Sequence, residues 1–297
     1  MIKKIVNKFS SLFWAIGFVE KGLEGVMHDD DIAVKWMKMP KDGWFADPFI
    51  LDVKTDEIDV LVEDLTVRPG KGVISLLKID RHSMELLSKK TILELPTHLS
   101  FPCILREGEK VYIYPENALS GKLDLYEYHF DTESVSFVKT ICDDVVWDSC
   151  MTDKFGDKML FTAAHDDYIL DIYRYDGGLD KYVPWKQVTS SKRNSRMGGQ
   201  LFEYEGNVYY PAQDCEKNYG SAIIIKKIGY DGCDFEVKAI KRITSMHPKM
   251  KVGFHTINEY KGLVVVDVCG YRYQLLGKLL GKTVGFLYNI KKSFRNR

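Results

Sequence analysis

Neither sign of charge is in excess: the 297 residues hold 42 Lys plus Arg and 42 Asp plus Glu. A chain without a net field has nothing to draw in a polyanion, so nucleic acid is excluded as a bulk partner and any basic site must be local. The six cysteines, Cys103, Cys142, Cys150, Cys215, Cys233 and Cys269, form no Cys-x-x-Cys pair and have no regularly spaced histidines around them. That excludes a zinc module and a disulfide framework, and predicts reduced thiols in a cytoplasmic setting. Runs of the roughly 18 to 20 apolar residues that a spanning helix needs are missing. The opening MIKKIVNKFSSLFWAIGFVEKGL starts like a secretory signal, but its apolar part is short, broken at Glu20 and without a small-residue cleavage site. The expectation is that it is not one. Walker A and Gly-x-Gly-x-x-Gly phosphate loops are missing, as is a serine nucleophile elbow. Asp64, Asp153, Asp166 and Asp167 match no metal loop, and neither metal nor cofactor is expected.

What the chain has in quantity is apolar residues, 45% of the total, enough for a sizeable core, and they recur. Five stretches are alike: ADPFILDVKTDEIDVLVEDL from Ala46, SFPCILREGEKVYIYPEN from Ser100, WDSCMTDKFGDKMLFTAA from Trp147, MGGQLFEYEGNVYYPAQD from Met197 and GFHTINEYKGLVVVDV from Gly253. Each reads as strand, polar turn, strand, with Asp56-Glu57, Glu107-Gly108, Gly156-Asp157, Glu205-Gly206 and Lys261-Gly262 in the turns and Val, Ile, Tyr and Phe around them. A third strand with period-two alternation follows the first four: GVISLLKID, LDLYEYHFD, LDIYRYDGG and SAIIIKKIGYDG. The fifth lacks one, so the early segments WAIGFVEK and IAVKWMKMP are expected to complete it.

The repeat starts are 54, 47, 50 and 56 residues apart, the scale of a four-stranded propeller blade. The predicted fold class is all-β, a five-bladed β-propeller over 44–270, with 1–43 closing the last blade and a short amphipathic C-terminal helix in 271–297. Repeated hairpins also suit a β-sandwich; recurrence of one three-strand unit favours the propeller.

In a propeller the first strand of each blade lines the central channel, so residues about fifty positions apart converge at its mouth. Aligned blade starts put Asp148 opposite Asp47, with Phe101, Gly198 and Phe254 or His255 at the other equivalents. The second strands end in register at Glu63, Glu116, Ala163, Gln213 and Asp267. An Asp before Pro ordinarily starts a turn. Three carboxylates inside apolar β context, Asp47, Glu116 and Asp148, are a different matter, because unpaired acids are rarely placed in a core. They are the candidate catalytic residues, since carboxyls of divergent protonation are what chemistry at a sugar acetal requires. Glu63, His98, Arg196, Gln213, Asp214, Tyr219 and His255 sit beside the blade motifs and are the candidate substrate-binding residues. Arg196 is suited to a phosphate or carboxylate, with Gly198-Gly199 allowing close backbone approach. Trp44, Phe45, Trp147 and Tyr219 could stack on a sugar ring or pack between blades.

Taken together, WFADPFI, HLSFPCIL, YIYPEN, WDSCM, SRMGGQLF, YYPAQDCEKNYGSAI and GFHTI resemble, in order, the N-terminal domain of the glucosamine inositolphosphorylceramide transferase family and bacterial stand-alone relatives linked to surface polysaccharide synthesis. That domain is similar in turn to the five-bladed propellers of furanose-acting glycoside hydrolases and fructan-processing enzymes. The resemblance implies that Asp47, in its Asp-Pro context, is the base or nucleophile, with acids of blades two and three as helper and general acid. Blade two opens on Phe101 instead of an acid, and blade three offers Asp148 where Glu is common; Glu116 would substitute from the neighbouring strand.

Where the plant relatives continue into a glycosyltransferase domain, this sequence continues LLGKLLGKTVGFLYNIKKSFRNR, with Lys278, Lys282, Lys291, Lys292, Arg295 and Arg297 punctuating apolar residues. The pattern suits an interfacial helix on the inner face of a membrane, or a packing helix with a basic outer face. The expected function is a glycosyltransferase or transglycosylase of cell-surface polysaccharide or glycolipid assembly, acting on a furanosyl unit. Its partners would be an activated donor, nucleotide sugar or sugar phosphate, and a glycan or lipid-linked glycan acceptor. Arg196 and His255 would bind the donor phosphate. A glycoside hydrolase using the same acids, or a glycan-binding propeller without turnover, are the alternatives.

Overall fold

The computed structural model describes residues 12–29, 32–40, 43–68 and 70–271. Five four-stranded antiparallel sheets account for nearly all of them. Blade I is β3 (Phe45–Val53), β4 (Glu57–Arg68), β5 (Lys71–Asp80) and β6 (Leu86–Leu93). Blade II is β7 (Ser100–Glu107), β8 (Lys110–Glu116), β9 (Leu123–His129) and β10 (Ser134–Cys142). Blade III is β11 (Trp147–Thr152), β12 (Met159–Ala163), β13 (Ile169–Asp176) and β14 (Lys181–Thr189), and blade IV is β15 (Phe202–Tyr204), β16 (Asn207–Gln213), β17 (Ile223–Tyr230) and β18 (Phe235–Ile243). Blade V joins the two ends of the chain in the order β19 (Ile257–Tyr260), β20 (Leu263–Tyr271), β1 (Leu12–Val19), β2 (Lys35–Trp36). The molecule is a five-bladed β-propeller, and among the described residues it adds one short α-helix, α1 (Gly22–His28), after β1, and one 3₁₀ turn at Ala118–Ser120. The predicted C-terminal helix falls almost entirely in 272–297, outside the described residues.

The hairpins follow from their turn residues. Glu205-Gly206 and Lys261-Gly262 both have positive φ at each position (47° and 69°, 52° and 76°), the two-residue turn whose twist matches its strands. The third strands differ from the alternation read in the sequence: Val73 through Leu77 of β5 are all buried. Packing between two neighbouring blades covers both faces of a middle strand, so a continuous apolar run replaces period two. The outer strands β6, β10, β14 and β18 carry the exposed positions, which is why the repeat does not locate them.

Strand β3 touches β7 and β19, and β11 touches β7, so the first strands surround one axis. Phe49 of blade I meets Phe101 of blade II edge-on, ring centroids 4.9 Å apart, within a core that runs from blade I to blade IV. Gly198 and Gly199 bring blade IV against blade V. A Cβ at Gly199 would lie 2.0 Å from Ile257 O, and at Gly198 2.7 Å from His255 O. The close approach they permit is backbone to backbone.

Candidate active site at the propeller axis

Three first strands begin with the same irregularity. Pairing slips between Ala46 and Phe49, between Ser100 and Cys103, and between Trp147 and Cys150. Each slip is a β-bulge whose first residue is left-handed: Asp47 at φ 49°, Phe101 at 43° and Asp148 at 47°. Such a conformation in a residue with a Cβ costs on the order of 1–3 kcal/mol and persists only where the surroundings hold it. What holds it is a carboxylate on the preceding blade. The Asp47 N–H donates to Asp267 Oδ2 (3.0 Å), the Phe101 N–H to Asp47 Oδ2 (3.1 Å) and the Asp148 N–H to Glu116 Oε2 (3.0 Å).

The remaining atoms of these acids make two clusters. In one, His255 stands between two carboxylates, with Nδ1 2.8 Å from Asp267 Oδ2 and Nε2 3.4 Å from Asp47 Oδ1. Its ring stacks on Trp14, centroids 3.8 Å apart at 15°, and Thr256 Oγ1 donates to Asp47 Oδ1 at 2.9 Å. Burial opposes a charge on His255, but Asp267 and Asp47 outweigh it and push its pKa up to about 9. Burial drives Asp47 the other way for an acid, up to about 7, against the pull of His255. In the second cluster, Arg196 Nε donates to Asp148 Oδ2 and Nη2 to Glu116 Oε2 (3.3 Å), and Gln213 Nε2 adds a bond to Asp148 Oδ2 at 2.7 Å. Burial would raise Asp148, but the Arg196 guanidinium holds its carboxyl below the ordinary range. Glu116 is raised well above it, by burial and by facing Asp148. Asp47 and Glu116 are thus shifted up and Asp148 down within one channel mouth, the divergence that separates acid from base in an active site.

Of the residues singled out in the sequence, Asp47, Glu116, Asp148, Arg196, Gln213 and His255 meet here. Tyr219 is 52% exposed at the rim, its ring 5.4 Å from the Arg196 guanidinium and edge-on to His255 at 5.5 Å. Trp147 lies on another side of Arg196, 5.8 Å away, whereas Phe45 is core. Glu63 pairs with Ala46 across β3 and β4, beside Asp47, and takes a bond from His98 Nε2 at 3.1 Å. Because the Gly72 N–H donates to His98 Nδ1, that ring holds the Nε2–H tautomer and serves to fix Glu63. Asp214 goes elsewhere: its carboxylate accepts from Arg242 Nε (2.8 Å) and from the Glu216 N–H (3.1 Å). Successive residues at a strand end point to opposite sides, so Gln213 reaches the axis and Asp214 does not. Nor can Arg196 and His255 serve a donor phosphate as they stand, since both are taken up by carboxylates. Asp267, placed in register at a second-strand end but not among the candidate residues, completes the site together with Thr256 and Trp14. An acid inside the run VVVDVC was the available signal for Asp267; Trp14 gave none.

Ligand atoms of Asp47, His255 and Asp267 lie within 4.8 Å of one another, so this triad could hold a cation only by displacing the proton that the same carboxylates favour on His255. A surface cavity of about 650 Å³, lined by residues such as His165, Asp171 and Trp185 of blade III, includes none of these acids. The clustered acids make the axis the candidate site.

The family model for the N-terminal part of glucosamine inositolphosphorylceramide transferase 1 matches residues 33–251. The chain is 28% identical over 196 residues to glucosamine inositolphosphorylceramide transferase 1 of Arabidopsis thaliana, and 27% over 198 residues to that of Oryza sativa subsp. japonica. Each alignment covers 63% of this chain and 26% of the plant protein, so the chain spans about a quarter of the curated relatives it matches. Among solved structures it is similar in fold to a β-xylosidase (TM-score 0.52, 14% identity, 77% of this chain and 92% of that one). It is similar also to a family-43 β-xylosidase/α-arabinofuranosidase from a compost microbial metagenome (TM-score 0.52, 11% identity, 76% and 90%). The propeller thus shares its fold with these two solved structures, and the chain belongs to the family of the glucosamine inositolphosphorylceramide transferase N-terminal domain.

Proposed function

We propose that the axial carboxyls form an acid–base site for glycosyl transfer in the assembly of a cell-surface polysaccharide or glycolipid. What supports it is the meeting of Asp47, Glu116 and Asp148 around Arg196 and His255, where burial raises Asp47 and Glu116 and the Arg196 guanidinium holds Asp148 down. Asp47, with a pKa near 7, is a base close to its working pH, aimed by Thr256 and the Phe101 N–H to take the proton of an acceptor hydroxyl. Glu116, whose pKa burial and the facing Asp148 raise, would deliver a proton to the leaving oxygen. Asp148, kept ionised by Arg196, would stabilise positive charge at the anomeric carbon. Tyr219 at the rim offers a face for the sugar. The donor would be a nucleotide sugar or sugar phosphate, a furanosyl group being the first class to try, and the acceptor a glycan or lipid-linked glycan. The basic, apolar-punctuated sequence of 271–297 is the part we assign to contact with the inner face of a membrane.

The test is turnover by the full chain of radiolabelled nucleotide sugars and phosphoribosyl donors in the presence of lipid-linked acceptors. Asp47→Asn and Glu116→Gln should each lower the rate by about a hundredfold or more with unchanged circular dichroism; an undiminished rate removes that residue from the mechanism. Release of free sugar from oligosaccharides without an activated donor would assign the same acids to hydrolysis. One observation favours a glycan-binding propeller without turnover: blade II presents Phe101 where an acid would complete a hydrolase set, and every axial acid is already paired. Tight glycan binding with no product from any donor would select it.

A further inference from the structure

The two axial cations are taken up by carboxylates, so a phosphate-bearing ligand needs a positive charge elsewhere. Lys226, on β17, supplies a candidate out of keeping with its surroundings. It is 4% exposed, and its Nζ donates to Asn194 Oδ1 at 2.8 Å, with the Tyr210 ring 5.8 Å away. Among the described residues no carboxylate comes within ion-pair reach of it. Burial alone pushes its pKa down, to about 8. Lysines are almost never buried without an acid, because one amide oxygen does not replace the hydration of an ammonium with three donors.

Lys226 lines a groove of about 520 Å³ between blades III and IV, whose charged residues are four basic (Lys192, Lys226, Lys241, Arg242) and two acidic (Asp214, Glu216). Most of the others are engaged: Asp214 and Arg242 by each other, Lys241 by the Met27 and Asp29 carbonyls, and Glu216 by the Arg193 N–H at 2.7 Å. Asn194 Oδ1 is fixed by a second donor, Ser190 Oγ at 2.8 Å. The groove adjoins the axis, since Asn194 and Ser195 precede Arg196 in the chain and Asp214 follows Gln213.

We infer that this groove binds a phosphate group, with the Lys226 ammonium as its charge partner and Asn194 holding that ammonium in place. The anion makes good the charge compensation that Lys226 lacks in the protein alone. The phosphate can belong to a small ligand such as a nucleoside diphosphate or to a lipid head group; the recognising chemistry is shared.

Two probes of the full chain distinguish the sources: calorimetric titration with inorganic pyrophosphate, and flotation with phosphatidylcholine vesicles with and without phosphatidic acid. Saturable binding to at least one is expected, weakened about tenfold or more by Lys226→Met, which leaves the stem and removes the charge. Asn194→Asp, which sets a carboxylate beside Nζ, should weaken it similarly and keeps the test open if Lys226→Met does not fold. Failure of both probes to bind, or affinity unchanged in a folded Lys226→Met or Asn194→Asp chain, overturns the inference. Lack of glycosyl turnover would overturn the axial reading and leave this one standing.

Discussion

Removing the guanidinium of Arg196 should uncover what it holds together. Its side chain is 16% exposed, against 3% for Asp148 and 12% for Glu116, so Arg196→Met leaves two carboxyls facing each other out of water. Taking away one partner of a buried pair costs about 3–5 kcal/mol. The pH dependence carries the sign. In the native protein Asp148 has a lowered pKa, so its contribution is present above the unfolded value near 4 and is lost only as pH falls below that. Without Arg196 the folded pKa of Asp148 must rise, and the variant is destabilised at every pH above it. The deficit should therefore be large at pH 8 and shrink toward pH 5. Urea unfolding followed by tryptophan fluorescence, with Trp147 as a near reporter, measures it: a midpoint lower by about 1 M or more at pH 8 is expected. Adding Asp148→Asn to Arg196→Met should recover most of the loss at pH 8, since the unpaired charge is gone. A deficit below about 1 kcal/mol, or one equal at both pH values, refutes the view that Arg196 compensates a buried ionised Asp148.

Three further outcomes follow from the geometry. His255, raised to about 9 between Asp267 and Asp47, contributes stability fully present below pH 6.5 and lost as pH climbs through 9; thermal melts between pH 6 and 10 should fall more steeply for the native chain than for His255→Gln. Gly199→Ala, whose Cβ would meet the Ile257 carbonyl at 2.0 Å, should cost about 3 kcal/mol or prevent folding, whereas Gly206→Asn, at φ 69° with nothing within 4 Å, should change the melting temperature little. Of the six cysteines only Cys233 is exposed, so a thiol reagent should modify one per native chain and six in denaturant.

How much of this was legible depended on whether a feature repeats. Blade starts and second-strand ends show in the sequence because the same hydrophobic unit returns five times, and that register alone brought Asp47, Glu116, Asp148, Gln213 and His255 to one axis. The bulges were not legible: left-handed positions usually announce themselves as glycine, and here they are Asp, Phe and Asp. Asp214 was drawn in by its neighbour in PAQD although side chains at a strand end alternate. The reach of Arg196 to acids on two blades, and the paired state of His255, depend on side-chain placement that spacing does not encode. Lys226 shows the same limit from the other side. In SAIIIKKIGYDG its burial cannot be told from the partial exposure of Lys227 without knowing which face meets blade III.

The axial acids also answer why an acid stands in GWFADPFIL, and the answer has two parts that can be separated. Asp267, Asp47 and Glu116 each hold the amide of the next bulge, so each has an architectural role whatever chemistry it performs. For Asp47 that role needs an acceptor for the Phe101 N–H and a partner for Thr256, not a charge. Asparagine supplies both, because its oxygen accepts from the amide and its NH₂ can donate to the threonine hydroxyl. Alanine supplies neither and leaves a buried donor in a strained turn, at a cost of about 1–3 kcal/mol. The comparison is cleanest at pH 5, below the value near 7 to which burial raises Asp47, where no buried charge is relieved by either change. Asp47→Ala should then unfold at distinctly lower denaturant and Asp47→Asn near the native midpoint. Equal midpoints for all three would mean that the carboxyl does not hold the bulge, and that its burial serves the axis chemistry alone.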